Sequence, residues 1–160
     1  MSIVINVKMA DYKTAQTPEI LMTAGLGSCI GLCVYDPVLK VGGLTHIMLP
    51  TTNGTYPTNP AKYADTAVEL LVREILLLGA NRTRLRAKMA GGAQMFSFPG
   101  KTTILKIGER NAEAVEQELV KHKIPLLVAD VGGNFGRTIH FDVGTGDLRV
   151  RTINHGEKVI

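Results

Sequence analysis

Apolar and polar positions along this chain follow two rhythms. Short apolar or alternating stretches predict strands at residues 3–7, 28–35, 43–49, 85–89, 103–107 and 126–131. The segment "RTIHFDVGTGDLRVRTI" reads as a hairpin turning at residues 144–146. A helical rhythm is clearest after Asn59, which can cap, and Pro60, which suits a first helical position. That helix is expected to run to Leu78 and to end at Gly79. Ala64, Ala67, Val68, Leu71, Ile75 and Leu78 share one face, widened by Leu70, Val72 and Leu77, and Lys62, Thr66, Glu69 and Arg73 line the other. A second helix fits "NAEAVEQELVKHK", with Asn111 as its cap, Ala112, Val115 and Leu119 inward, and Pro125 closing the segment.

Many strands, two main helices and short turns predict the α+β class. The expected architecture is a single-domain layered α/β sandwich over residues 1–160, with a mostly antiparallel sheet. The Thr-, Asn-, Gly- and Pro-rich stretch "PTTNGTYPTNP" reads as a surface flap. The chain of 160 residues, with 45% hydrophobic and 20% charged content, suits one globular core. No apolar run is long enough to span a bilayer, and "MSIVINVKMADYK" shows no signal-peptide pattern, so membrane insertion is not expected and a cytoplasmic location is.

Net charge is +4, aromatics make up 5% and Trp is absent, which does not match a nucleic-acid-binding surface. In "NRTRLRAK", Arg82, Arg84, Arg86 and Lys88 alternate with smaller or apolar residues. On a strand they form one basic face, either solvated or open to an acidic partner.

The candidate chemistry lies in "GLGSCIGLCVYD". Within a strand, residues four apart are separated by about 13 Å, beyond the ~7 Å reach of a disulfide, so Cys29 and Cys33 cannot bridge. The three or four convergent ligands of a metal site are missing. Cys33, between Leu32 and Val34, reads as a small buried filler. Cys29 follows Gly27 and Ser28, whose N–H groups could lower a thiol pKa or stabilise an oxyanion.

Asp36-Pro37 starts a turn, and the chain returns through Gly42-Gly43 as a second apolar strand carrying His46. A two-residue turn at residues 37–38 places Cys29 directly opposite His46. A four-residue turn at 37–40 makes them diagonal neighbours, and three or five loop residues put them on opposite faces. Opposed or diagonal, the pair would be a thiol nucleophile with an imidazole base. From spacing alone, two core residues remain the competing reading. Gly91-Gly92 is open to a tight turn or a close backbone approach to a substrate helix, and Met95-Phe96 to core packing or partner contact. His122 reads as solvated or capping, and His140 and His155 carry no assigned chemistry.

The segments "TAGLGSCIGLCVYDP", "GGLTHIMLP", "KYADTAVELLVREILLLGA", "LRAKMAGGAQMF", "IGERNAEAVEQEL" and "DVGGNFGRTIHFD" resemble, in order, successive motifs of the CheD family, the chemoreceptor glutamine deamidases of bacterial and archaeal chemotaxis. The resemblance covers residues 20–152. It implies a single-domain α/β sandwich and a Cys–His–Thr active set. By motif these are Cys29 as nucleophile, His46 as general base and acid, and Thr23 orienting His46. It further implies a protein-glutamine glutaminase without cofactor or metal, which hydrolyses receptor glutamine side chains to glutamate in chemotaxis signalling. Methylesterase-like activity on the same sites accompanies it in the family. The implied partners are methyl-accepting chemotaxis receptors, as substrate, and the CheC phosphatase. A non-catalytic adaptor binding receptors and CheC is the alternative. A related peptidase or cell-wall amidase is disfavoured by the absent signal pattern.

Overall fold

The computed structural model describes residues 3–96 and 106–160. Two five-stranded sheets lie face to face. The first runs from edge to edge as β1 (Val4–Asn6), β3 (Ile20–Leu26), β8 (Arg137–Asp142), β9 (Leu148–Arg151) and β10 (Glu157–Val159). The second runs as β2 (Tyr12–Gln16), β5 (Val41–Ile47), β4 (Ile30–Asp36), β6 (Arg86–Gly91) and β7 (Leu126–Val131). Among the described strands, only β1–β3 and β6–β7 pair in parallel. Two helices, α1 (Ala64–Leu77) and α2 (Ile107–Lys121), cover the outer face of the second sheet. The α+β class and the largely antiparallel pairing agree with the sequence reading, with two sheets where one was expected.

The second sheet is therefore a middle layer, and β4 and β5 are buried along their whole length. Ile30, Leu32 and Val34 face the helices, where they meet Val68, Leu71, Ile75 and Val115. Cys33 and Tyr35 face the other sheet and pack with Leu21, Ile139, Phe141 and Leu148. Burial on both faces explains why β4 reads as a continuous apolar run rather than an alternation. Each fully buried Leu, Ile or Phe contributes about 1.5–3 kcal/mol.

Several sequence expectations change in the folded chain. Asn59 caps only a short 3-10 turn, Pro60–Lys62, its side chain accepting from Ala61 N–H. The chain then extends at Tyr63, because Met48 and Leu49 donate to the Lys62 carbonyl and Ala64 donates to that of Leu49. The α-helix starts only after that bridge. Leu77 and Leu78, expected on the apolar face, are exposed at its end. Of the expected strand at 103–107, residues 103–105 lie outside the described residues, and Ile107 opens α2 instead of closing a strand. Asn111 is not a cap but sits buried in the second turn of α2. The basic strand face is also shortened, since Arg82–Arg84 forms a 3-10 turn capped by Asn81. Strands β2, β3 and β10 were not apparent in the pattern.

Arg84 leaves that basic row to pair with Asp36. Its Nε and Nη2 fork onto the carboxylate at 2.7–3.1 Å, and the N–H groups of Val38, Leu39 and Asn81 also donate to it. The guanidinium and these backbone donors hold the fully buried Asp36 well below the usual carboxylate range. A carboxylate in this cradle fixes the turn between β4 and β5, and so the register of the two strands. Asp36→Ala is expected to destabilise the fold by about 3 kcal/mol in urea denaturation, by stripping the partners from three N–H groups and a guanidinium.

Candidate active site

The site lies where the chain crosses from one sheet to the other. In β3 the register against β8 shifts between Thr23 and Leu26, a bulge in which Gly25 takes φ +71°. Residues 27–29 then leave the first sheet, and β4 begins in the second at Ile30. Asp36 pairs with Val41, so the turn holds the four residues 37–40, with Lys40 at φ +60°. That is the four-residue alternative, and it pairs Gly31 with His46, leaving Cys29 on the diagonal of the same face. Gly31 has no room for a side chain, as a Cβ there would sit 2.6 Å from Ile139 Cδ1.

Thr23 and His46 are fully buried, and Cys29 is 8% exposed. Thr23 Oγ1 lies 2.7 Å from the Val7 carbonyl and 2.7 Å from His46 Nδ1. A hydroxyl has one proton, and the carbonyl can only accept it, so Thr23 accepts from His46 Nδ1–H. The imidazole is thereby held as the tautomer with a bare Nε2, and that atom is buried without a hydrogen-bond partner among the described residues. No hydrogen bond joins it to Cys29. Burial pushes the Cys29 thiol up and the His46 imidazole down from their ordinary values. At rest the pair is a neutral thiol beside a neutral base. The expectation that nearby N–H groups depress the thiol pKa is not met, because desolvation dominates.

Three successive carbonyls of the crossing segment are held in place. Ala93 N–H donates to Gly27 O at 2.9 Å, Asn111 Nδ2 to Ser28 O at 2.9 Å, and Gly92 N–H to Cys29 O at 2.9 Å. Gly27 N–H is spent on Gly25 O, whereas the N–H groups of Ser28 and Cys29 have no partner among the described residues. Gly91, at φ +119°, comes so close that a Cβ there would overlap the Cys29 carbonyl oxygen. Within the Gly91-Gly92 pair, the close approach at Gly91 is therefore to the candidate nucleophile's own backbone, where the sequence suggested an approach to a substrate helix. Arg137 secures the pair from the first sheet: its Nη1 donates to Gly91 O and Gly132 O, Nε meets Asp130, and Phe135 lies 4.5 Å over the guanidinium.

Against this geometry, comparison with known proteins is informative. A family model described as CheD chemotactic sensory transduction matches residues 48–152. The chain belongs to the CheD family. The matched span starts after Thr23, Cys29 and His46, but relatives align across them. The "Probable chemoreceptor glutamine deamidase CheD" of Desulfitobacterium hafniense (strain DSM 10664 / DCB-2) is 74% identical over 160 residues, covering all of both chains. The protein of the same name from Syntrophomonas wolfei is 57% identical over 161 residues, again covering both chains in full. The "Chemoreceptor glutamine deamidase CheD" of Halalkalibacterium halodurans is 49% identical over 162 residues, also with full coverage of both. Among solved structures, the Bacillus licheniformis hypothetical protein YfiH overlays at TM-score 0.46 and 18% identity, covering 75% of this chain and 49% of that one, too distant to support an argument.

The remaining candidates of this CheD-family chain separate cleanly. Cys33 is free and fully buried, its thiol pushed far up by desolvation. Among the described residues no three His, Cys, Asp or Glu side chains converge as a metal site. Lys88 donates to the carbonyls of Gly146 and Ile160. His155 stacks on Phe135 at 4.0 Å, and His122 follows the last turn of α2. The flap of residues 50–60 is tethered by Thr51 and Thr52 donating to Asp65, and by Asn59 Nδ2 donating to Ala10 O. Two contributors escaped the sequence reading, Asn111 and Arg137. The signal for the first was present, because Asn111, Val115 and Leu119 recur at four-residue spacing on one helix face.

Gly91→Ala is expected to cost at least about 2 kcal/mol and to slow alkylation of Cys29 by iodoacetamide, since a Cβ must displace the Cys29 carbonyl. Unchanged melting and labelling would show that β6 yields without disturbing the loop.

Proposed function

We propose that the protein, acting as one domain, is a chemoreceptor glutamine deamidase, a protein-glutamine glutaminase of chemotaxis. In this reading Cys29 is the nucleophile, His46 the base and acid, and Thr23 the group that orients His46. The observation that carries it is the relay from His46 Nδ1–H to Thr23 Oγ1 to the Val7 carbonyl, which leaves Nε2 bare on the face shared with Cys29. The full-length likeness to relatives named chemoreceptor glutamine deamidases supports the choice of substrate.

The steps follow from the resting protonation. His46 Nε2 takes the Cys29 proton as sulfur adds to the glutamine amide carbonyl. The oxyanion is met by the N–H groups of Ser28 and Cys29, which have no partner among the described residues. The intermediate collapses, His46 returns its proton to the leaving nitrogen, and ammonia departs from a thioester. Water then adds with Nε2 as base, and the thioester breaks to glutamate and the Cys29 thiol. Held carbonyls on either side of the loop mean that these donors are in place before substrate arrives.

Substrate and partner contact fall beside the loop. Met95 packs over Gly27, and the neighbouring Phe96 is 72% exposed. This apolar pair offers surface to a receptor helix or to the CheC phosphatase. None of the described helices is long and apolar enough to cross a membrane, and the reading implies a cytoplasmic protein acting on the receptors' cytoplasmic region.

Receptor fragments incubated with the protein are expected to gain the mass of amide-to-acid conversion, and Cys29→Ala to abolish the gain. A persistent gain in that variant would remove the thiol mechanism and leave the adaptor reading. The acid limb of kcat/KM is expected below 6.5, because burial disfavours the imidazolium and the neutral His46 required for attack survives to lower pH. A midpoint above 6.5 in the pH profile would mean that another group controls attack.

A further inference from the structure

We infer that Asn111 is the positioning residue of this site: by holding the Ser28 carbonyl it turns the Cys29 N–H toward the reacting amide as an oxyanion donor. This deepens, and rests on, the deamidase reading above.

The inward face of α2 carries Ala112, Val115 and Leu119, with Glu118 buried near its edge and paired to Lys121, and Asn111 is fully buried within it. Its Nδ2 donates at 2.9 Å to both Ser28 O and Met48 O. The first carbonyl belongs to the residue before the nucleophile. The second lies just past β5, two residues after His46. One amide group therefore ties the two ends of the catalytic pair to each other and to α2. The other half of that amide, Oδ1, is buried without a partner among the described residues. An unpaired buried acceptor weakens a fold, so the contribution of this side chain lies in its two donated bonds and not in general packing.

Peptide geometry turns those bonds into chemistry. A trans peptide points its N–H opposite to its C=O. Holding Gly27 O directs the Ser28 N–H away from Ala93, and holding Ser28 O directs the Cys29 N–H away from α2. These two amides of the crossing segment have no partner among the described residues, while the next, Ile30, enters the β4 ladder. Gly27 O and Cys29 O are held by backbone N–H groups. Ser28 O alone is held by a side chain, so the orientation of the Cys29 N–H depends on residue 111.

The test separates oxyanion binding from thiol reactivity. Asn111→Ala and the isosteric Asn111→Asp, both without the amide donor, are made in the full chain and compared at a temperature where circular dichroism shows them folded. With a receptor fragment as substrate, kcat is expected to fall about 100-fold with KM within about 2-fold. Alkylation of Cys29 by iodoacetamide, a displacement that forms no oxyanion, should stay within about 3-fold of wild type. Asn111→Ser, which keeps one donor, should recover part of kcat. In the unaltered protein the Asn111 carboxamide protons should exchange with solvent more slowly than those of exposed Asn53. A kcat within about 3-fold of wild type in both donor-free variants, an alkylation rate falling in step with kcat, or equal exchange at the two asparagines would each overturn the inference. Deamidation surviving in Cys29→Ala would instead remove the deamidase reading, whatever Asn111 does.

Discussion

The pairing of β4 with β5 is the constraint on which the rest of this protein depends. It sets Gly31 against His46 and so puts Cys29 and His46 on one face of the middle sheet. It is held at one end by the Asp36 cradle and at the other by the Asn111 bridge between Ser28 and Met48. A slip of one residue would send every side chain of either strand to the opposite layer. Because both faces of β4 and β5 are packed, such a slip would drive helix-facing side chains into the intersheet core.

Packing on both sides also determines the electrostatics. Neither the thiolate nor the imidazolium is favoured in this interior, because burial disfavours the charged form of both Cys29 and His46. The Thr23 relay costs no charge: it selects a tautomer through a hydroxyl and a carbonyl, both neutral. Asp36 and Arg84 show the opposite solution, a buried carboxylate stabilised by a guanidinium fork and three N–H groups, far from any chemistry. Beside the candidate loop, Met95 and Phe96 form an exposed apolar flank.

Legibility varied with how local each determinant is. The strands around Cys29 and His46, the turn after Asp36 and the buried face of α1 follow from short-range patterns and were readable. Strand β3 was not, because its bulge at Gly25 interrupts the alternation, so Thr23 entered only through family resemblance. Asn111 was misread as a cap because an asparagine at a helix start and one on a helix's inward face look alike until the first turn of the helix is known. Arg84 was misread as part of a basic face because its partner lies 48 residues away in the chain.

By itself the sequence determined the element types, the cysteine that follows a small-residue approach, and the parity condition that a histidine must satisfy to reach it. It also excluded a disulfide between Cys29 and Cys33, since an extended strand holds residues four apart too far from each other. Only the tertiary structure decided which turn length applies, which nitrogen of His46 is bare, and what holds the loop carrying Cys29. Those depend on contacts between distant segments: Val7 with Thr23, Thr23 with His46, Gly91 with Cys29, and Asn111 with Ser28 and Met48. A linear pattern encodes which faces are buried, but a buried hydrogen bond is specified only when folding brings its donor and acceptor to the same place.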